Sequence, residues 1–145
     1  PDGIFLSNGP GDPKDLPEVI ENIKKLIGKK PIFGICLGHQ LMALANGADT
    51  YKMKFGHRGI NQPVKYLATG RIYISAQNHG YAVDEKSLEG KDINISHISM
   101  NDGTIEGLEY TKHPSFTVQY HPEACPGPGD HDYLFKHFVD MMEGR

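Results

Sequence analysis

Cysteine is scarce in this sequence, positive charge is not in excess, and no hydrophobic run is long. Two cysteines among 145 residues can form at most one disulfide, which argues against a disulfide-stabilised secreted domain and favours a reducing, cytoplasmic compartment. The formal net charge of -3 argues against a basic surface for nucleic acid. No apolar run approaches the ~18 residues that cross a bilayer, and no signal peptide is recognisable. The composition therefore favours a globular protein without nucleic-acid or membrane partners.

The chain also lacks an initiator methionine. It opens with Pro1-Asp2-Gly3 and reaches an apolar strand pattern by Ile4. Its length suits one domain, and neither an internal repeat nor a linker divides it. We therefore expect residues 1–145 to be one domain, cut from a longer protein, that lacks its first strand and helix segments.

The segment from Pro31 to Gly47 places a cysteine between a strand and a helix. Residues 32–35 form a short apolar run typical of a buried strand, and a helical pattern follows at once. Cys36 lies at the junction with a glycine two residues to either side, which is the G-x-nucleophile-x-G pattern of a nucleophile elbow. A helix N-terminus favours a thiolate, and the N–H of Leu37 would face a developing oxyanion. A lone pattern of this kind also fits a buried structural cysteine.

The first half of the chain predicts a parallel sheet. Residues 3–7 have the pattern of a buried strand, and residues 15–27 have that of an amphipathic helix ended by Gly28. Together with the strand and helix around Cys36, this gives the order βαβα. The Gly- and Pro-rich loop 8–13 and Cys36 should then meet at the carboxyl edge of the sheet, where active groups gather. Taken alone, that loop is better explained as a plain turn.

The second half predicts antiparallel strands that extend this sheet. Asn101-Asp102-Gly103 between two alternating runs is typical of a hairpin. The predicted strands are 50–53, 63–67, 71–76, 92–99, 104–110 and 115–120.

Two polar segments interrupt these strands. Residues 55–59 are predicted to be a structural loop. Residues 77–81 are predicted to be a loop that either holds a polar substrate or satisfies its own turns. A final helix is predicted from His131 or Asp132 to Glu143, and its predicted buried residues are Leu134, Phe135, Phe138, Val139 and Met142.

A histidine and a carboxylate follow the last predicted strand. His121 ends the strand pattern, and Glu123 stands two residues further, on the same face of an extended backbone. Glu123 could therefore orient one ring nitrogen of His121 and leave the other for a thiolate. A solvated surface pair explains the same two residues without a function.

The eight histidines raise the question of a metal site. The spacings of the candidate ligands do not match the usual paired-ligand patterns, so no metal site is expected. The candidates considered are His121, Cys125 and His131, or His131 with His137.

Three segments together resemble the class I (triad) glutamine amidotransferases: residues 7–13, residues 34–40 and His121-Pro122-Glu123. Within that family, residues 52–57, 77–84 and 121–128 resemble the small, glutamine-hydrolysing subunit of carbamoyl-phosphate synthetase. The resemblance covers nearly the whole chain, in order. It implies a flavodoxin-like α/β fold in which a parallel sheet carries an antiparallel β extension.

The resemblance also implies a role for individual residues. Cys36 would attack the side-chain amide of glutamine, His121 would act as base and acid, and Glu123 would orient His121. The N–H groups of Leu37 and Gly9 would form the oxyanion hole. The residues that would bind glutamine are Gly9, Gly11, Leu37, Gln40, Asn78, Gly80 and Tyr81.

A glutaminase of this family implies a partner. Ammonia would pass to a large carbamoyl-phosphate synthetase subunit, which uses ATP, whereas this chain needs no cofactor of its own. The same domain could instead serve the synthesis of guanylate, anthranilate or aminodeoxychorismate, or could be a non-catalytic regulatory module. Cys125, where the family pattern has serine, is assigned no role.

Overall fold

The computed structural model describes residues 3–7, 9, 11–122 and 132–144, and within them seven strands form one mixed sheet. The α-helices of this part of the chain are α1 (Pro17–Leu26), α2 (Leu37–Ala45) and α3 (Asp132–Met142). The strands are β1 (Ile4–Leu6), β2 (Ile32–Ile35), β3 (Thr50–Tyr66), β4 (Ile72–Val83), β5 (Ile93–Ser99), β6 (Ile105–Tyr110) and β7 (Ser115–Val118).

The sheet has a parallel part and an antiparallel part, in the order β1-β2-β7-β6-β5-β3-β4. Strands β1, β2 and β7 pair in parallel, and every later pairing in that order is antiparallel. The predicted α/β architecture, a parallel sheet with an antiparallel β extension, is confirmed. Parallel pairing puts the carboxyl ends of β2 and β7 side by side, which determines where the polar residues after each strand lie.

The core consists of two apolar clusters, one on each face of the parallel strands. Ile32 packs with α1 and α2, whereas Phe33 belongs to the cluster under α3. This alternation is what a strand covered on both faces requires. The ring of Phe33 is fully buried and stacks on that of Phe116 with 4.6 Å between centroids. Burial of one such side chain contributes about 2 kcal/mol.

The predicted loops at 55–59 and 77–81 are wrong, because both segments belong to long strands. His57 pairs with His79, and Gly59 pairs with Gln77, in the antiparallel ladder of β3 and β4. The register of β3 against β4 shifts on either side of this paired stretch, between Lys52 and His57 and between Gly59 and Gln62. These irregularities accommodate the glycines of the segment. Gly56 there has a φ of +70°, a conformation that favours glycine. Local composition resembled a loop, but cross-strand pairing determines the structure.

Two helix predictions also need correction. Helix α1 begins at Pro17, not at Asp15, which lies in a 3₁₀ turn at Pro13–Asp15. Proline is favoured at the first helical position because its missing N–H would have no partner there. In α3, Leu134 is buried as predicted, but Phe135 and Val139 are 37% and 43% exposed.

Among the described residues, no helix has the length and apolar character needed to cross a membrane.

Candidate active site at the carboxyl edge of the parallel strands

Cys36 occupies a strained turn between β2 and α2. Its φ of 54° and ψ of -107° make it the one non-glycine residue with a positive φ in the described part of the chain. Its N–H donates to the carbonyl of Val118 at 2.9 Å, and its carbonyl accepts from the N–H of Gln40 at 3.2 Å. Such a backbone conformation costs about 1–3 kcal/mol and is most often found at functional sites. The geometry is that of the predicted nucleophile elbow.

The two glycines around Cys36 are required by close backbone contacts. A Cβ on Gly34 would lie 2.9 Å from the carbonyl carbon and oxygen of Gly38. A Cβ on Gly38 would collide with the backbone oxygen of Leu6 in β1. The G-x-C-x-G pattern therefore records how tightly α2 approaches the ends of β1 and β2.

A cavity of about 290 Å³ opens beside Cys36. This volume is near the lower end of the range for small-molecule sites, roughly 300–1,000 Å³. The predicted site residues that line it are Gly9, Gly11, Cys36, Gln40, Asn78, Gly80 and Tyr81.

Three further residues line the same cavity but were not predicted: Lys52, Arg58 and His79. Lys52 and Arg58 bring two positive charges to a site that otherwise offers neutral polar groups. His79 is buried, and burial lowers its pKa to about 4, so it is neutral at pH 7. All three belong to segments singled out in the sequence, but only the pairing of β3 with β4 shows that they face the cysteine.

Leu37 begins α2 and does not line the cavity, but it lies against Gly9. A Cβ on Gly9 would be 2.9 Å from Cδ2 of Leu37. The loop that follows β1 thus lies close to the N-terminus of α2, where the N–H groups have no partner within the helix. Leu37 and Gly9, the two residues predicted to form the oxyanion hole, are therefore neighbours.

A chain of side-chain amides leads from the cavity wall to the sulfur. Gln40 donates from Nε2 to the carbonyl oxygen of Tyr81 and to Oε1 of Gln119, each at 2.9 Å. Gln119 in turn donates from Nε2 to Sγ of Cys36 at 3.7 Å. Gln119 was not assigned a role from the sequence, although it lies two residues before His121. Gln119 therefore links the sulfur of Cys36 to Gln40, the α2 residue that also bonds to β4.

His121 follows β7, the parallel neighbour of β2. Ile35 pairs with Val118 in the register of these strands, so the residues after them emerge at the same edge of the sheet. The N–H of His121 donates to the carbonyl of Ala76 at 2.9 Å. The predicted partner of His121, Glu123, lies outside the described residues, as do Cys125 and His131.

Residues 1–141 match the protein family described as glutamine amidotransferase class-I. The chain belongs to this family. The resemblance inferred from the sequence is thereby confirmed, and the elbow around Cys36 and the cavity beside it can be considered as parts of a class-I glutamine amidotransferase domain.

Among curated relatives of this amidotransferase domain are two bacterial small chains of carbamoyl phosphate synthase. The chain is 64% identical over 145 residues to the one from Listeria monocytogenes serotype 4b, covering 100% of this chain and 40% of that relative. It is 65% identical over 143 residues to the one from Bacillus cereus, covering 99% and 39%. The chain therefore spans about two fifths of the length of these relatives.

Solved structures with the amidotransferase fold resemble the domain closely. A putative GMP synthase subunit from Thermoplasma acidophilum superimposes with a TM-score of 0.81 at 24% identity, covering 99% of this chain and 73% of that one. The glutaminase domain of CTPS from Trypanosoma brucei, solved with bound acivicin, gives 0.73 at 17% identity, covering 99% and 72%. At these identities the likeness supports the fold alone.

Proposed function

We propose that the chain is the glutaminase domain of a carbamoyl-phosphate synthetase small subunit, which hydrolyses glutamine to glutamate and ammonia. The observation that carries this proposal is the strained turn at Cys36, which opens onto a cavity of about 290 Å³ lined by seven of the predicted site residues. A purely structural cysteine has no need of such a turn or of the open space beside it.

In the proposed reaction, the thiolate of Cys36 attacks the amide carbon of the glutamine side chain. The oxygen of the tetrahedral intermediate accepts hydrogen bonds from the N–H groups of Leu37 and Gly9, each worth roughly 10²–10³ in rate. His121 protonates the amide nitrogen, the C–N bond breaks, and ammonia leaves a γ-glutamyl thioester on Cys36. His121 then takes a proton from water, which attacks the thioester and releases glutamate and the thiolate. Glu123 orients His121 in this scheme.

The remaining lining residues suit the amino-acid end of the substrate. Gln40, Asn78, Gly80 and Tyr81 offer amide and backbone groups to its polar atoms. Lys52 or Arg58 would balance its carboxylate, since both of these cationic side chains line the cavity.

The partner proposed for the domain is a large subunit that receives the ammonia and consumes ATP. Support comes from identities of 64% and 65% to small chains of carbamoyl phosphate synthase, across the whole of this chain. A GMP synthase subunit shares the fold at only 24% identity, so the alternative acceptors have weaker support. The cytoplasmic location and the large subunit both stay predictions.

The test is glutamine hydrolysis by the full-length protein with its co-purifying subunit, wild type against Cys36→Ser. We expect the variant to lose nearly all glutaminase activity while ammonia-dependent synthesis by the complex is retained. A glutamine-analogue diazo-ketone should label wild type at one site and leave Cys36→Ser unlabelled. Cys125→Ser replaces the second cysteine of the chain and is the matched control. This variant should still be labelled. Equal hydrolysis by wild type and Cys36→Ser would refute the proposal, and absence of labelling would favour the non-catalytic module.

A further inference from the structure

Four polar side chains converge in the interior behind the cavity wall. His57 extends from β3, Gln77 and His79 extend from β4, and Glu106 extends from β6. Each is at most 6% exposed, and Glu106 is fully buried. His79 also lines the cavity beside Cys36, so the cluster adjoins the candidate active site without containing the cysteine.

Four of the distances between the polar atoms of these side chains are close to 3 Å. Nδ1 of His57 lies 3.2 Å from Nε2 of His79, 3.0 Å from Oε1 of Gln77 and 3.0 Å from Oε1 of Glu106. Nε2 of His79 lies 2.8 Å from Oε1 of Gln77. The donor atoms of His57, His79 and Glu106 all fall within 4.8 Å of one another.

Hydrogen bonds on the outer side of the cluster determine which atoms face inwards. Nε2 of His57 donates to Oδ2 of Asp102 at 2.7 Å, and Nδ1 of His79 donates to the carbonyl of Tyr81 at 2.8 Å. Gln77 donates from Nε2 to the hydroxyl of Ser75 at 2.8 Å, which turns its carbonyl oxygen inwards. With neutral rings, both inner nitrogens and the Gln77 oxygen therefore present lone pairs to one another.

Glu106 adds a buried negative charge to these lone pairs. Within the described part of the chain, neither of its carboxylate oxygens makes a hydrogen bond of good geometry, although Oε1 lies 3.0 Å from Nδ1 of His57 and the side chain of Gln77 is also close. An arrangement in which acceptors face only acceptors is unfavourable in a protein interior unless a cation fills the centre.

We propose that His57, His79 and Glu106 bind a divalent zinc ion, with the carbonyl oxygen of Gln77 as the fourth ligand. Two imidazole nitrogens with a carboxylate suit zinc better than calcium or magnesium, which prefer oxygen ligands throughout. Bonds of 2.0–2.1 Å in a tetrahedron place ligand atoms about 3.3 Å apart, close to the separations in the cluster. The hydrogen bonds from His57 to Asp102 and from His79 to Tyr81 are of the kind that orients metal-bound imidazoles.

The alternative to a zinc ion is a proton on His57, which would also place a positive charge at the centre of the cluster. Burial acts to lower the pKa of His57, but the nearby carboxylates of Glu106 and Asp102 outweigh burial and raise it to about 9. When both are ionised, Glu106 and Asp102 carry two negative charges, which a divalent ion balances and a single proton does not. Arg58, the neighbouring cation, donates to the carbonyl of His79 and not to either carboxylate.

The site would be structural, since all four ligands come from the chain and none is left for substrate. It would hold β3, β4 and β6 together directly behind the cavity, and would fix the ring of His79 that lines it. No spacing in the sequence indicated this site, because its ligands come from three strands that meet only in the folded sheet. The proposal holds whether or not Cys36 hydrolyses glutamine.

The experiment measures zinc binding by the full-length protein, expressed without a polyhistidine tag and stripped with a chelator. Titration against a chromophoric competitor should give one zinc per chain. Glu106→Gln should weaken zinc affinity by more than ~100-fold, and Asp102→Asn, which removes only an orienting group, by roughly 10–100-fold. Substitution with Co²⁺ should give the absorption of a tetrahedral nitrogen and oxygen site without a thiolate charge-transfer band.

Two control variants distinguish this site from zinc bound elsewhere on the protein. Cys36→Ala should keep the zinc, which distinguishes the cluster from a zinc ion held by the catalytic thiolate. His137→Asn, at an exposed position on α3, should also keep it. Absence of zinc binding by wild type would show that a proton fills the centre. Loss of zinc binding in Cys36→Ala would overturn the proposal. Zinc binding with wild-type affinity in both Glu106→Gln and Asp102→Asn would also overturn it.

Discussion

The side-chain amide of Gln119 donates to the sulfur of Cys36 across 3.7 Å. Gln119 is fully buried, and its oxygen is held by the amide of Gln40, so its N–H group has little freedom to turn away. A donor fixed in this way stabilises a thiolate more than a thiol, since hydrogen bonds to charged groups are the stronger ones. We therefore expect Gln119 to act as a positioning residue that favours the reactive form of the proposed nucleophile.

Replacing Gln119 with leucine should reduce the reactivity of Cys36. A hydrogen bond to a charged group contributes about 1.5–3 kcal/mol, so we expect kcat/KM for glutamine to fall roughly 10–100-fold. The rate of Cys36 alkylation, measured against pH, should rise only at higher pH than in wild type, because the thiolate has lost a donor.

The pH dependence of Cys36 alkylation shows whether Gln119 stabilises the thiolate or only fills space in the core. Gln119→Glu, which has the same shape, should also shift the profile to higher pH because its carboxylate repels the thiolate. If both variants alkylate with the wild-type pH dependence, Gln119 does not stabilise the thiolate, whatever their glutaminase rates.

Gly38→Ala should destabilise the fold. The added Cβ would collide with the backbone of Leu6, and overpacking of this kind costs about 1–3 kcal/mol. The free energy of unfolding, measured by urea denaturation, should fall by that amount.

Gly80→Ala is the matched control for that measurement. Its Cβ would have Arg58 as nearest neighbour, at an ordinary contact distance of 3.6 Å, so stability should stay within about 0.5 kcal/mol of wild type. Because Gly80 lines the cavity, we expect the Gly80→Ala variant to have a higher KM for glutamine than wild type. A stable Gly38→Ala variant would show that α2 can move away from β1, contrary to the close packing of Gly38 on Leu6.

The elbow could be predicted from the sequence because its causes are local. Cys36 lies within a few residues of the glycines that permit its turn, and the apolar run before it and the helical pattern after it are both short-range signals. The contacts of the turn extend to Leu6 and Val118, but the requirement for glycine is visible at Gly34 and Gly38 alone.

The three lining residues that were missed, Lys52, Arg58 and His79, could not be predicted in the same way, because their positions at the cavity depend on pairing between distant residues. His57 and His79 are 22 residues apart and meet only when β3 and β4 pair. Their flanking glycines and polar residues interrupt the alternation by which strands are recognised, so both segments resembled loops. Gln119 likewise reaches Cys36 across 83 residues.

His39 should make the protein sensitive to acid. Its ring is fully buried in α2, with Nδ1 2.7 Å from the hydroxyl of Thr117, and burial lowers its pKa from 6.5 to about 3. Below pH 6.5 the unfolded chain therefore binds a proton at His39 that the folded protein does not bind until about pH 3. Unfolding becomes more favourable as the pH falls through this range, by about 2 kcal/mol at pH 5 for this residue.

The measurement is urea denaturation of wild type and His39→Gln at a series of pH values from 7 to 5. A neutral glutamine cannot take up the proton, so the variant should lose less stability on acidification, by about 2 kcal/mol over this range. The comparison rests on the pH dependence, because the substitution itself changes packing at every pH. If wild type and His39→Gln lose stability in parallel, the buried ring of His39 is not the group that resists protonation in the folded protein.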